Sequence, residues 1–324
     1  MADQRIRTAV IGLGHFGRFH ADKYARLAQS QLVGVADADP ARAAETARKL
    51  KVEPFTDYRA LFGKVDAVSV VVPTQMHHEV ALACLTAGIH VLVEKPITET
   101  LEQADALIRA AGEHKRVLQV GHLQRFLLQR LGADTAIKSP LYIEAVRIAP
   151  YKPRGTDVGV TLDLMIHDID MVLALVRSPV IAVDAVGAPV VSPTEDIANT
   201  RLRFANGCVA NITASRVSLK TERKMRIFQR DAYVSIDLHN RKYTLLRKGS
   251  GKSWFPGLPP IDREERSFAE GDDLEAEIAA FLAAVASGTA PLVSGEDGRR
   301  ALETAMRVTA SLTESLERVS ASGI

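Results

Sequence analysis

Cysteine is almost missing from this chain. Cys84 and Cys208 are the only two in 324 residues. That is too few for a disulfide framework and fits a reducing compartment, so a cytoplasmic protein is expected. Long apolar runs are also missing: none approaches the ~20 residues that a membrane-spanning helix needs. The opening Met1-Ala2-Asp3-Gln4-Arg5 leads straight into an apolar strand, and no secretory leader is expected. Neither sign of charge dominates. Lysine and arginine number 41 against 39 acidic residues, a net charge of +2. The basic residues are scattered, so nucleic acid is not an expected partner. Internal repeats and low-complexity segments are absent. What remains is an ordinary globular composition, 47% hydrophobic and 25% charged, long enough for two domains of ~150 residues.

The apolar pattern divides the chain. Strands are expected at 6–12, 31–36, 67–72, 90–93 and 117–120. Helices are expected between them, at 18–28, 41–50, 79–87 and 101–113. Strands alternating with helices of about ten residues imply a doubly wound parallel sheet. From about residue 123 the pattern changes. A strand at 141–149 and a helix at 160–176 precede consecutive strands at 181–187, 197–204, 208–215, 224–229, 233–238 and 242–247. Asn206-Gly207 is a hairpin signal. Residues 249–260 read as a loop carrying Trp254, and closing helices follow at 273–286 and 296–318. The expected architecture is an α/β chain: a dinucleotide-binding domain over 1–122, then an α+β domain over 123–324 with a large, mostly antiparallel open sheet. Leu202 and Phe204 alternate with Arg201 and Arg203, so one sheet face is apolar and the other mixed. The mixed face meets either water or a second subunit, and a homodimer or homotetramer built through it is expected.

Gly12-Leu13-Gly14-His15-Phe16-Gly17 follows the first strand and opens a helix. Glycines at this spacing permit a tight turn, close approach of backbone to a pyrophosphate, and close packing of helix on strand. Asp37 stands twenty residues after Gly17, at the end of the second strand, where a carboxylate can hold ribose hydroxyls. Its charge would repel a 2′-phosphate, so NAD is favoured; NADP stays possible because Arg42 lies one helical turn on.

Three further features carry chemistry. The run His90-Val91-Leu92-Val93-Glu94-Lys95-Pro96 places Lys95 at the carboxyl end of a buried strand, where open α/β sheets bind ligands. A lysine there either reaches solvent or holds a partner. Asp163 and His167 are i and i+4 on one helix and share a face, while Asp168 and Asp170 point elsewhere. His167 is either a hydrogen-bonded core histidine or a base that removes a hydroxyl proton. No His or Cys cluster has metal-ligand spacing, and adjacent His77 and His78 diverge, so no metal is expected.

Taken in order, Gly12 to Gly17, Pro73-Thr74 to His77, Glu94-Lys95-Pro96 and Asp163 to His167 resemble the Gfo/Idh/MocA family of sugar and inositol oxidoreductases. The resemblance spans the whole chain. It implies that Lys95 and His167 flank the reacting hydroxyl with Asp163 near both, and that the peptide before Pro96 is cis. It also implies that His15, Phe16, Pro73, Thr74, His77, Glu94 and Lys95 join the glycines and Asp37 around the cofactor. Relatives often carry a Gly-rich stretch before the aspartate, whereas here only Gly159 remains. Residues 151–157, Asn206 to Arg216 and Val120 to Phe126 are similar to the branch that oxidises the 3-hydroxyl of UDP-N-acetylglucosamine in lipid A biosynthesis. In that branch an Asn-Pro usually follows Phe126, and here Leu127-Leu128 replaces it. A nucleotide sugar needs cations for its diphosphate. Arg125, Lys152, Arg154 and Arg216 are the candidates, with Gln124, Lys95, Asp163 and His167 completing the substrate set. Inositol or free-sugar oxidation is the alternative, and a nucleotide-binding redox regulator without turnover is the alternative of another class.

Overall fold

The computed structural model describes residues 5–151, 158–249, 257, 260–269 and 271–321. In chain order the first elements are β1 (Ile6–Ile11), α1 (His15–Arg26), β2 (Ser30–Ala36), α2 (Pro40–Leu50), β3 (Glu53–Phe55), β4 (Ala67–Val70), α3 (Thr74–Thr86), β5 (His90–Glu94), α4 (Leu101–Glu113) and β6 (Leu118–Gly121). Then come α5 (Gln124–Arg130), α6 (Ala133–Ala136), β7 (Tyr142–Ile148), a π-helical turn (Thr161–Met165), α7 (Ile166–Val176), β8 (Val180–Ala188), β9 (Ile197–Phe204) and β10 (Val209–Ser215). β11 (Glu222–Phe228), β12 (Ala232–Asp237), β13 (Lys242–Lys248), β14 (Ile261–Ser267), α8 (Asp273–Ser287) and α9 (Gly295–Ala321) close the chain.

Two compact units result. The first comprises Met1–Phe126 and Asp272–Leu302, and the second Leu127–Gly271 and Glu303–Ile324. The first holds a six-stranded parallel sheet in the order β3-β2-β1-β4-β5-β6. Its strands are near-continuous apolar runs because helices cover both faces. The chain winds outward from β1 through β2 to β3, then returns to β4 on the other side of β1. The strand order therefore reverses between β1 and β4, the place where such sheets bind ligands.

The expectation that everything after residue 122 forms the second domain is corrected at the C-terminal side. Ile278, Phe281 and Leu282 of α8 share one core with Val10, Tyr24, Val35 and Leu92. The Gln119 amide donates to the Glu277 carbonyl at 3.1 Å, and Arg299 of α9 reaches Asp105 of α4 at 2.5 Å. The apolar stripe of α8 identifies a buried helix without saying which sheet buries it.

The second unit is an eight-stranded sheet in the order β14-β13-β12-β11-β7-β10-β9-β8. All its pairs are antiparallel except β7 with β10. Leu202, Phe204, Val234 and Ile236 are buried as the alternation predicts. Gly207 takes φ +87° in the β9–β10 hairpin, a left-handed conformation that costs glycine little. α7 and the later part of α9 cover the sheet, and the Ala185 N–H donates to Ser311 Oγ at 3.0 Å. β3, β14, α5 and α6 were not expected from the sequence, and most of the 249–260 loop with Trp254 lies outside the described residues. Among the described residues no helix is long and apolar enough to cross a membrane.

Candidate active site

Each fingerprint glycine has its own structural reason. Gly12 has φ +90°, and a Cβ there would lie 2.5 Å from the Val71 carbonyl oxygen. A Cβ on Gly17 would sit 1.8 Å from the Gly12 carbonyl oxygen, so helix α1 closes directly on the turn. At Gly14 a Cβ would meet nothing within 4 Å. The protein leaves that space open, as a backbone that approaches a pyrophosphate requires. Gly14 caps α1 and Pro73 caps α3, and neither helix has a side-chain cap. Two sets of first-turn N–H groups thus stay available for an anion at the switch point. His15 and Phe16 are exposed in the first turn of α1. Phe19, which sequence reasoning did not single out, packs with both, its ring 5.1 Å from His15 and 6.5 Å from Phe16.

Asp37 ends β2 and is buried. Its Oδ2 accepts the Leu13 N–H at 2.7 Å and its Oδ1 the Asp39 N–H at 2.9 Å. Arg42 Nη1 also donates to both oxygens, at 3.4 and 3.3 Å, so a ribose diol would share the carboxylate with that arginine. Arg42 Nη1 lies 3.3 Å from Asp37 and Nη2 3.4 Å from Asp39. Its charge is already balanced by two carboxylates, a poor setting for a 2′-phosphate. These features fit a dinucleotide. NAD would lie over Gly12, Gly14 and Gly17 with its ribose at Asp37.

Lys95 follows the last residue of β5, and the Lys95–Pro96 peptide is cis. Thr74 begins α3, and His77 in its first turn is 1% exposed. His77 Nδ1 faces the Pro96 carbonyl at 2.8 Å and Nε2 the Val72 carbonyl at 2.9 Å. A neutral imidazole has one N–H, so only one contact is a donated bond at a time. Burial holds its pKa below the ordinary histidine value. His77 therefore pins the Pro96 turn to α3, and its polar atoms point into the protein.

In the second unit Asp163 lies in the π-helical turn and His167 in the first turn of α7, both half-buried. The expected continuous α-helix is corrected here, since residues 161–165 are wound more loosely. π-Turns of this kind are frequent at functional sites. The wider turn still leaves residues four apart on similar headings. The Arg147 guanidinium of β7 binds Asp168 in a fork at 2.6 and 3.1 Å. That buried pair sets the rotation of α7, with Asp168 facing the sheet. Gly159 survives for a reason: a Cβ there would lie 2.2 Å from Glu195 Oε1. Glu195, a residue that sequence reasoning missed, accepts the Thr161 N–H at 3.3 Å and so holds the start of the turn.

The cation candidates separate. Gln124 begins α5 and is half-buried, and Arg125 lies 3.4 Å from Asp297 within the first unit. Arg216 is buried, donating to Asp196 at 2.7 Å, the Val158 carbonyl at 2.7 Å and Thr194 at 2.9 Å. It is a clamp within the fold, and the expectation that it meets a diphosphate is withdrawn. Lys152 and Arg154 lie outside the described residues. Burial pushes the Cys84 thiol up to about 12 and the Cys208 thiol to about 11, so neither supplies a thiolate. Among the described residues no three His, Cys, Asp or Glu side chains converge as metal ligands.

Comparison with known proteins agrees with this geometry. Residues 6–122 match the family described as "Oxidoreductase family, NAD-binding Rossmann fold", and residues 146–234 match its C-terminal domain. The UDP-N-acetylglucosamine 3-dehydrogenase of Acidithiobacillus ferrooxidans is 43% identical over 97% of this chain and 99% of its own. The chain belongs to the Gfo/Idh/MocA family of oxidoreductases. It is an NAD-dependent enzyme of that family. The solved Acidithiobacillus structure superposes with a TM-score of 0.89 over 95% of this chain and 97% of that one. A myo-inositol 2-dehydrogenase from Thermotoga maritima is 29% identical over 92% of this chain and 93% of its own. A levoglucosan dehydrogenase solved with NADH and levoglucosan has a TM-score of 0.84 over 96% of this chain and 98% of that one, at 21% identity. That last likeness speaks for the fold alone.

Proposed function

We propose that this protein oxidises the 3-hydroxyl of UDP-N-acetylglucosamine to a 3-keto sugar, with NAD as acceptor. The observation that carries the substrate is the 43% identity to a dehydrogenase of that sugar across nearly the whole of both chains. Bound NAD supplies the hydride acceptor. The other roles belong to this chain. Gly12, Gly14 and Gly17, with the first turns of α1 and α3, take the pyrophosphate. Asp37 holds the ribose diol and disfavours a 2′-phosphate. The Lys95 ammonium binds the hydroxyl oxygen and stabilises negative charge as it develops there. His167 accepts the hydroxyl proton, and Asp163 favours the charged imidazole that results. Gln124, Arg125 and Arg154 are the proposed contacts to the nucleotide sugar.

The outward face of the second sheet supports self-association. Tyr142, Phe228 and Tyr233 form an aromatic row across β7, β11 and β12, with ring centroids 5.7 and 5.0 Å apart. A row of this kind suits a twofold contact in which one surface meets its own copy. The test of function is a screen of UDP-sugars, inositols and free sugars with NAD and NADP, followed by product identification. Reduction of NAD with UDP-N-acetylglucosamine and formation of its 3-keto product is expected. Turnover of myo-inositol or glucose without turnover of the nucleotide sugar would overturn the reading.

A further inference from the structure

A chain of buried polar groups runs through the first unit to the residue before Lys95. Tyr24 Oη lies 2.9 Å from Ser69 Oγ, and Ser69 Oγ lies 3.0 Å from His20 Nδ1. His20 Nε2 lies 3.1 Å from Glu94 Oε1, and the other oxygen of Glu94 accepts the Lys95 N–H at 3.3 Å. Tyr24, His20 and Ser69 are all 0% exposed. Gly121 lines the far side: a Cβ there would lie 2.9 Å from the Glu94 carboxylate carbon.

One assignment of donors and acceptors satisfies every member of this chain. Burial above all raises the Tyr24 pKa, so the phenol keeps its proton and can donate it to Ser69. Ser69 then donates to His20 Nδ1, and His20 Nε2–H donates to Glu94. Each hydroxyl proton is used once, and each lone pair that faces a donor is filled. The arrangement places an Nε2–H of His20 against an ionised Glu94. Burial alone would push the Glu94 carboxyl up. Hydrogen bonding and charge from His20, and then the charge of Lys95, outweigh it and hold the group below its ordinary value.

We propose that His20 is a positioning residue for Lys95. It donates from Nε2, in a tautomer fixed by Ser69 and Tyr24, and thereby keeps Glu94 anionic and in place beside the lysine. The proposal rests on reading Lys95 as the group that holds the substrate hydroxyl. The titratable groups around the relay are Lys95 beyond β5, His77 on α3, which feels the Glu94 charge, and Glu277 on α8, which acts on Tyr24.

The test compares wild type with His20→Leu, His20→Gln and Tyr24→Phe. Glutamine can donate to Glu94 from near the same place, whereas leucine cannot. Tyr24→Phe removes only the terminal donor and keeps the volume, so it serves if His20→Leu fails to fold. Lysines are dimethylated with ¹³C-formaldehyde, the Lys95 signal is assigned through Lys95→Met, and its shift is followed from pH 3 to 7 in the presence of NAD. This readout needs no substrate. In His20→Leu the Glu94 inflection in the Lys95 signal is expected to move up by about one pH unit. His20→Gln is expected to restore it, and Tyr24→Phe to move it partway. Identical titrations in wild type, His20→Leu and Tyr24→Phe would overturn the proposal. A wild type that does not oxidise the nucleotide sugar would overturn the functional reading while leaving the titration result to stand on its own.

Discussion

Single residues differ in how far sequence can place them. Lys95 is legible because a buried strand that ends on lysine and proline needs an explanation that the strand cannot give. Arg216 is not, since a guanidinium in a sequence carries no mark of burial. Its role comes from Asp196, fully buried 20 residues away. Burial would push the Asp196 carboxyl up, but the N–H groups of Val191 and Ser192 and the Arg216 guanidinium prevail and hold it well below the usual range. A carboxylate with a depressed folded pKa contributes stability that is present above its unfolded pKa and lost as pH falls toward the folded value. Arg216→Met should therefore cost about 3–5 kcal/mol at pH 7 by leaving a buried charge unpaired. The gap to wild type should narrow below about pH 4, where Asp196 gains a proton in the unfolded chain. Urea unfolding of both proteins at pH 7 and pH 3.5 measures this, and an equal gap at both would contradict the clamp. For the chemistry, Lys95→Met should lower kcat by about 10²–10³ through loss of charge stabilisation. His167→Asn should remove the acidic limb of the kcat/KM profile that the base produces. Steady-state kinetics over pH 5 to 9 checks both.

At the scale of elements, the strands and helices of the first unit were legible because strong apolar runs alternate with Ala-rich helices. The misses have physical causes. β3 is three residues long and contains Pro54. β14, with the sequence Ile-Asp-Arg-Glu-Glu-Arg-Ser, has no apolar alternation because it is an exposed edge strand; charge on such an edge discourages pairing with other chains. The π-turn is invisible because an inserted loop of helix alters winding without altering composition. The glycine turn gives the sharpest element-level test, since its glycines serve different ends. Gly14 has φ −60°, open to any residue. Gly14→Val should keep wild-type thermal stability and yet weaken NAD binding by about tenfold or more, because the new side chain fills the pyrophosphate's approach. Gly17→Ala should destabilise the fold by about 1–3 kcal/mol, since its Cβ meets backbone that cannot move aside. Calorimetric titration with NAD beside thermal melts separates the two. Equal effects of both substitutions on stability would refute the division of labour.

At the scale of the molecule, the sequence predicted a sheet with one apolar and one mixed face, and the second unit has both. It did not reveal what the mixed face meets, because a residue pattern that suits water also suits a polar interface. The outward side chains narrow the choice. Tyr142 Oη accepts from the Asn211 amide at 3.0 Å, and Arg226 pairs with Glu144 at 2.5 Å, so the polar groups beside the aromatic row are already satisfied within the sheet. Such a surface can be covered without stranding charges, and desolvating unpaired charges is what most opposes association. An isologous contact would place each aromatic row against its copy, and large rings near the centre of an interface tend to dominate its energy. Light scattering after gel filtration should therefore give at least twice the mass of one chain. Phe228→Asp, which puts two like charges at the centre of a twofold contact, should return the protein to the mass of one chain. Its secondary structure should be unchanged, because Phe228 lies on the outward face and is 37% exposed. A wild-type protein that elutes with the mass of one chain at micromolar concentration would show that the aromatic row faces water.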